Sequence, residues 1–180
     1  MWLYIVLTLV GLLLTLIGLL GILGSRLPET HVATASIEIN AAPELVWATI
    51  NDMESFPSWM PEFTKMERLP DDNGKQVWRQ HMGRNSFVTT NDVFEPPSSS
   101  NNSRGRVLRT IRDDHGPFSG SWDHTVEPAP APVPPNGRCI LTITETGTIK
   151  SAIPRAIMRY MIGEDHYLKK FLSAVKRKLG

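Results

Sequence analysis

P-R-A-I-M-R-Y-M-I-G-E-D-H-Y-L-K-K-F-L-S-A-V-K-R-K-L-G, residues 154 to 180, is the stretch that decides the architecture. Apolar side chains recur in it at Ile157, Tyr160, Met161, Leu168, Phe171, Leu172, Val175 and Leu179. That spacing of three and four puts them on one face of a helix. Pro154 fits the first helical turn, where a missing N–H needs no partner. Gly163 predicts a kink, since Gly is about 1 kcal/mol less favourable than Ala inside a helix. A long helix with one apolar face needs a concave surface to lie on. The chain therefore reads as an α+β protein, a curved antiparallel sheet wrapped around a long C-terminal helix, with a pocket between them.

The preceding residues supply the sheet. Ala33 to Asn40 alternates as a first strand, with Ile37 and Ile39 on one face. Further strands are expected at 64–69, 75–82, 86–95, 105–112, 120–127 and 138–150. The turn-rich breaks at 70–74, 83–85, 96–104, 113–117 and 128–137 separate them into a meander. Pro43, with Glu44 beside it and Val46, Trp47 and Ile50 on one side, marks a helix beginning. The proline-broken aromatic segment Phe56, Trp59, Met60 and Phe63 reads as a plug for the core or a lid over the pocket mouth.

Trp2 to Gly24 contains no charged residue. At about 1.5 Å per residue it reaches roughly 33 Å, enough for a hydrocarbon core of about 30 Å. The rival reading is a secretory signal, which ordinarily has a basic start and an apolar run of only about 7–15 residues. The expected organisation is a transmembrane anchor at 1–25, a tether at 26–32 and a globular domain at 33–180. No Lys or Arg precedes the span, while Arg26, Lys65 and Arg68 follow it. The positive-inside rule then puts a single-pass protein in the cell membrane with its globular part in the cytoplasm. Thr8, Gly11, Thr15 and Gly18 form a stripe of small residues that fits a homodimer through the span. Such residues are also simply common in membrane helices.

The formal net charge of +1 gives no footprint for nucleic acid, but the charge is unevenly spread. From Arg155 onward seven basic side chains face two acidic ones, which leaves the body mildly acidic. The basic end of the helix could meet anionic headgroups, or it could be a solvated face that complements the helix dipole. Cys139 is the only cysteine, so neither an intrachain disulfide nor a multi-cysteine metal site can form.

Three stretches carry a family likeness: I-N-A-A-P-E-L-V-W-A-T-I-N-D at 39–52 with F-P-S-W at 56–59, G-P-F-S-G-S-W at 116–122, and T-I-T-E-T-G-T-I at 142–149 leading into the terminal helix. From Ala33 onward the chain resembles the helix-grip fold of the START/Bet v 1-like (SRPBCC) superfamily, and within it the polyketide cyclase/dehydrase-like branch. The resemblance implies a cavity between sheet and helix for an apolar small molecule or lipid. It implies no particular reaction, because one fold hosts many functions.

Strand alternation nominates the cavity lining. Gly120, Trp122 and His124 share a face, and Leu141, Ile143 and Glu145 share one on the last strand. Trp78, Gln80 and Met82 form the more apolar face of the third. With Ile157, Met161 and Leu168 from the helix, the ligand-binding set is Trp78, Met82, Trp122, His124, Leu141, Ile143, Ile157, Met161 and Leu168. His124 and Glu145 are the catalytic candidates, an acid and a base among apolar walls. The plainer reading is that each pairs with a neighbouring strand or loop group. No motif calls for a metal or a cofactor. The leading function is a membrane-tethered binding or transfer module for a lipid, quinone or polyketide-like ligand. The alternatives are a cyclase or dehydratase using His124 and Glu145, and an interaction protein with a vestigial cavity.

Overall fold

The computed structural model describes residues 1–112, 116, 118–131 and 137–180. The expected turn at Asp113-Asp114-His115 and most of the proline-rich stretch before Gly137 lie outside the described residues.

Seven antiparallel strands form one sheet: β1 (Thr30–Ile39), β2 (Phe63–Asp72), β3 (Lys75–Met82), β4 (Asn85–Glu95), β5 (Gly105–Ile111), β6 (Phe118–Pro128) and β7 (Cys139–Ile149). Their order is β1-β7-β6-β5-β4-β3-β2, so the meander from β2 to β7 is closed by the first strand on its far edge. β1 begins before Ala33, with Thr30 already opposite Thr148 and His31 opposite Gly147, so the tether is shorter than residues 26–32. The concave face follows from the alternation. It carries Val107 and Arg109 of β5, Trp122, His124 and Val126 of β6, Leu141, Ile143 and Glu145 of β7, and Ala33 and Ala35 of β1.

Helix α2 (Pro43–Asn51) starts on Pro43 with Glu44 in its first turn and buries Val46, Trp47 and Ile50. A 3-10 turn (Met53–Ser55) leads into the short α3 (Phe56–Trp59). Phe56 and Met60 are buried, so this segment is a plug rather than a lid. Phe56, Trp59, Phe63 and Phe171 meet ring to ring at centroid distances between 5.0 and 6.0 Å.

The C-terminal helix differs from the sequence expectation in one respect. It is not continuous from Pro154 but consists of α4 (Ala152–Ile157), a π-helical turn (Met158–Ile162) and α5 (His166–Leu179). Gly163, at φ 97°, separates the pieces in a backbone conformation that only Gly adopts without strain. α5 alone fills the grip of the sheet, burying Leu168, Leu172, Ala174 and Val175. Two of its basic side chains turn to the body itself: Lys170 pairs with Glu62, and the Lys178 ammonium sits 5.3 Å over the Trp59 ring.

Helix α1 (Trp2–Ser25) is the one described helix long and apolar enough to cross a membrane. Its Thr8 and Thr15 hydroxyls donate to carbonyls one turn earlier, and Gly11 and Gly18 have open space around them. Its last turn packs against α4. A Cβ on Gly24 would lie 1.8 Å from the Ala152 carbonyl oxygen, so only Gly permits the approach. The Arg155 guanidinium locks the junction by donating to Gly24 O (3.1 Å) and Ile149 O (3.1 Å) and pairing with Glu29 at 3.0 Å.

Candidate functional site

Polar side chains on the concave face fall into two groups. The first is centred on Glu145, which stands opposite Trp122 on β6 and Ala33 on β1. The Trp122 indole N–H donates to Glu145 Oε2 at 2.8 Å, and His31 Nε2 lies 3.3 Å from Glu145 Oε1. Gly147 makes room for this contact: a Cβ there would fall 2.6 Å from His31 Cε1 and 2.9 Å from Glu145 Oε1. The buried carboxylate is thus held between an indole and an imidazole.

The second group lies deeper. Arg109 and His124 are both buried, diagonal neighbours across the β5–β6 pair. One Arg109 nitrogen donates to Ile50 O (2.9 Å) and Asn51 Oδ1 (2.8 Å), placing a cation at the negative C-terminal end of α2. Burial lowers its pKa to about 10, so it remains charged at neutral pH. Burial and then the Arg109 charge push His124 well below the usual histidine value, which keeps the imidazole neutral. The His124 ring meets Phe171 edge-on at 5.7 Å. On the neighbouring strands, Gln80 donates to Thr89 at 2.8 Å and Asn91 to Gln76 at 3.1 Å. Four buried atoms of this interior have no hydrogen-bond partner: Trp78 Nε1, Asn91 Oδ1, Arg109 Nε and His124 Nδ1. An unmet buried donor or acceptor costs about 1–3 kcal/mol.

The expected site residues are distributed over these surroundings. Leu141, Ile143 and Leu168 are buried in the main core, with Trp122 packed against it, and Trp78 belongs to a second cluster with Met53 and Phe56. Met82 and Ile157 are half-buried. Met161 is 72 % exposed and lines no interior, because the π turn and Gly163 carry it away from the sheet. His124 and Glu145 do not form a pair: His124 stands opposite Ile143, and the histidine that reaches Glu145 is His31. Sequence reading missed His31 because it was assigned to the tether, and missed Arg109 because a strand Arg is ordinarily taken to face water. The signal for Arg109 was its apolar neighbours two residues away on either side, Val107 and Ile111. Among the described residues no three His, Cys, Asp or Glu side chains converge as a metal site.

Phe171, the plug and the core side chains pack between the sheet and α5, and among the described residues clefts lie elsewhere. One, of about 250 Å³, lies where β1 begins, lined by Leu27, Pro28, His31, Ile149, Arg155 and Met158. His31 lines it from within and reaches Glu145, so the cleft leads towards the first polar group. The other, of about 290 Å³, is polar and includes Asp72, Lys75, Asp92 and Arg112, which are engaged in ion pairs.

Residues 30–180 match the family model described as polyketide cyclase/dehydrase and lipid transport. The chain belongs to this family. Solved structures share the fold at low identity. A START superfamily protein from Mycobacterium smegmatis is 18% identical with a TM-score of 0.62, over 83% of this chain and 97% of that one. The Zhui aromatase/cyclase from Streptomyces sp. R1128 is 17% identical with a TM-score of 0.60, over 83% and 93%. The lipid transfer and protein localization domain of human StarD13 is 13% identical with a TM-score of 0.62, over 83% and 77%. A comparison with curated protein sequences finds no match. Family membership supports a hydrophobic-ligand binding or transfer role; identities this low add the fold alone.

Proposed function

We propose that this protein is a membrane-anchored binding or transfer module for an apolar small molecule carrying oxygen functions, such as a lipid, a quinone or a polyketide-like aromatic. The observation that carries the reading is the position of the His31 cleft, which opens beside the last turn of α1. If α1 crosses the bilayer, a guest leaving the membrane meets that cleft first. The interior beyond it is apolar with a few unmet donors and an unmet acceptor, the chemistry that suits a greasy body with carbonyl or hydroxyl oxygens. Gly163, between the α1-bound α4 and the sheet-bound α5, is the joint at which α5 swings to admit the guest. On this reading α1 is a single-pass anchor in the cell membrane with the body on the cytoplasmic side, an orientation that the Arg26 charge just after the span favours. The open flanks of Gly11 and Gly18 leave α1 free to approach a second copy of itself.

The test is native mass spectrometry of the full chain extracted in mild detergent, followed by uptake of a short-chain fluorescent phospholipid and of a soluble quinone analogue. Expected are a co-purifying adduct of lipid or quinone mass and saturable uptake that Arg109→Met weakens. Neither adduct nor uptake would overturn the reading. A second reading, an enzyme, is favoured by one observation: Glu145 is held against His31 at the inner end of the cleft. Turnover of a bound aromatic that disappears in both Glu145→Gln and His31→Asn, with uptake preserved, would establish it.

A further inference from the structure

Exposed apolar side chains of the body are concentrated on one stretch. Tyr160 is 59 %, Met161 72 % and Ile162 41 % exposed, and Tyr167 at the start of α5 is 49 % exposed. The other large apolar side chains exposed among the described residues of the body, Val32, Leu45 and Phe94, are scattered along the sequence. Isolated exposure of that kind is ordinary, whereas a contiguous apolar patch marks a surface meant to be covered.

What covers it follows from the α1–α4 junction. This placement holds if α1 spans the membrane, as the proposed function has it. The 24 residues of α1 extend about 36 Å against a hydrocarbon core of about 30 Å, so each end overhangs by about 3 Å. Gly24 and Gly21 then lie at the boundary of the core. Ala152 touches Gly24, and Ile153 reaches to 4.0 Å from a Cβ at Gly21. Successive residues of α4 therefore meet successively deeper positions of α1, and α4 sets out towards the bilayer. Met161 follows Ile153 by no more than about 12 Å of helix. That bound keeps the patch within the leaflet nearest the body, and the side chains set its depth there.

The composition sets that depth. Tyr side chains favour the headgroup level, and the exposed Arg159, paired with Glu164, has a stem long enough to hold its guanidinium group in the polar zone. We propose that the π turn Met158–Ile162, with Tyr167, is an interfacial element that lies in the headgroup region of the bilayer α1 crosses. The occupant of the patch is thus lipid, and the element rests the body on the membrane with the His31 cleft, which Met158 and Arg159 also line, at headgroup height.

The experiment uses the full chain in vesicles of phosphatidylcholine and phosphatidylglycerol, with one spin label per variant. Labels go on Met161→Cys, Tyr160→Cys, Leu13→Cys in the middle of α1, and Ser100→Cys in the β4–β5 connection, at the opposite end of the strands from Thr30. Cys139 stays silent, being buried with its thiol pushed up to about 11 by burial. Accessibility is read with oxygen, which concentrates in lipid, and with a water-soluble nickel complex. The expected result is a severalfold excess of oxygen over nickel accessibility at 13, 160 and 161, and the reverse at 100. If 13 is lipid-buried while 160 and 161 behave like 100, the interfacial element is refuted and the span survives. Nickel access at 13 refutes the span and the inference with it. Low access to both reagents at 160 and 161 marks a protein contact, with a second copy or another chain, and overturns the lipid assignment.

Discussion

Lowering the pH should destabilise the body through His124 before its carboxylates titrate. The imidazole is buried against Phe171 and next to the Arg109 cation, and its pKa is lowered well below the usual 6.5. In the unfolded chain it returns to about 6.5. Above that pH both states are neutral and the shift contributes nothing. Below it the unfolded chain binds a proton that the folded chain refuses, so stability falls by up to about 1.4 kcal/mol per pH unit until the folded pKa is reached. Between about pH 8 and about pH 5 the loss is at most about 2 kcal/mol. The acidic groups act lower. Glu67 is held down to about 2 by hydrogen bonds from Lys65 and His81, and Glu62 is lowered by its hydrogen bond from Lys170, so what they contribute is lost only in more acidic solution. The assay is urea unfolding of the full chain in detergent micelles, followed by tryptophan fluorescence, for the wild type and His124→Gln. The stability gap between the two should narrow, by up to about 2 kcal/mol, as the pH falls from about 8 to about 5. A gap constant to within about 0.5 kcal/mol over that range would refute the assignment of a neutral, buried His124.

Two further outcomes test the packing. Trp122→Ala should lose about 3 kcal/mol, since it removes a ring packed against the core together with the donor to Glu145, and a loss under about 0.5 kcal/mol would sink the inward placement. Gly24→Val should part α1 from α4, because a Cβ there would sit 1.8 Å from the Ala152 oxygen. Amide exchange in 152–157 should accelerate in the full chain while β6 and β7 keep their protection; unchanged exchange in α4 would contradict the close approach.

The sheet was readable in the sequence because alternation has a period of two and turns have their own chemistry. The helix start at Pro43 was readable for the same local reasons. Less legible was the identity of the surface each apolar face meets. Ile157, Tyr160 and Met161 continue the periodicity of α5, yet a π turn changes the number of residues per turn and Gly163 ends the run. The first part of the supposed single face therefore leaves the sheet, and Tyr160 and Met161 are exposed. Pairing across the sheet was the other hidden quantity. Glu145 and His124 were correctly placed on the inner face, but strand register decides which side chains meet, and it gives Glu145 to Trp122 and His31. The inward face of Arg109 was legible from Val107 and Ile111, but its partners at the end of α2 were not.

The closure of the sheet by its first strand fixes an order of events during synthesis. β1 leaves the ribosome directly behind α1, but its hydroxyl pairs lie on β7: Thr30 with Thr148, Thr34 with Thr144 and Ser36 with Thr142, up to 118 residues away. At about 5–20 residues per second β1 waits several seconds or more with both edges unsatisfied. Such long-range pairing is slow to form because the loop must close before any contact rewards it. The intervening meander, β2 to β6, can pair hairpin by hairpin while β1 is idle. The nascent chain is therefore most exposed to strand-edge association in the interval before β7 emerges, and truncation anywhere ahead of Cys139 would make that interval permanent.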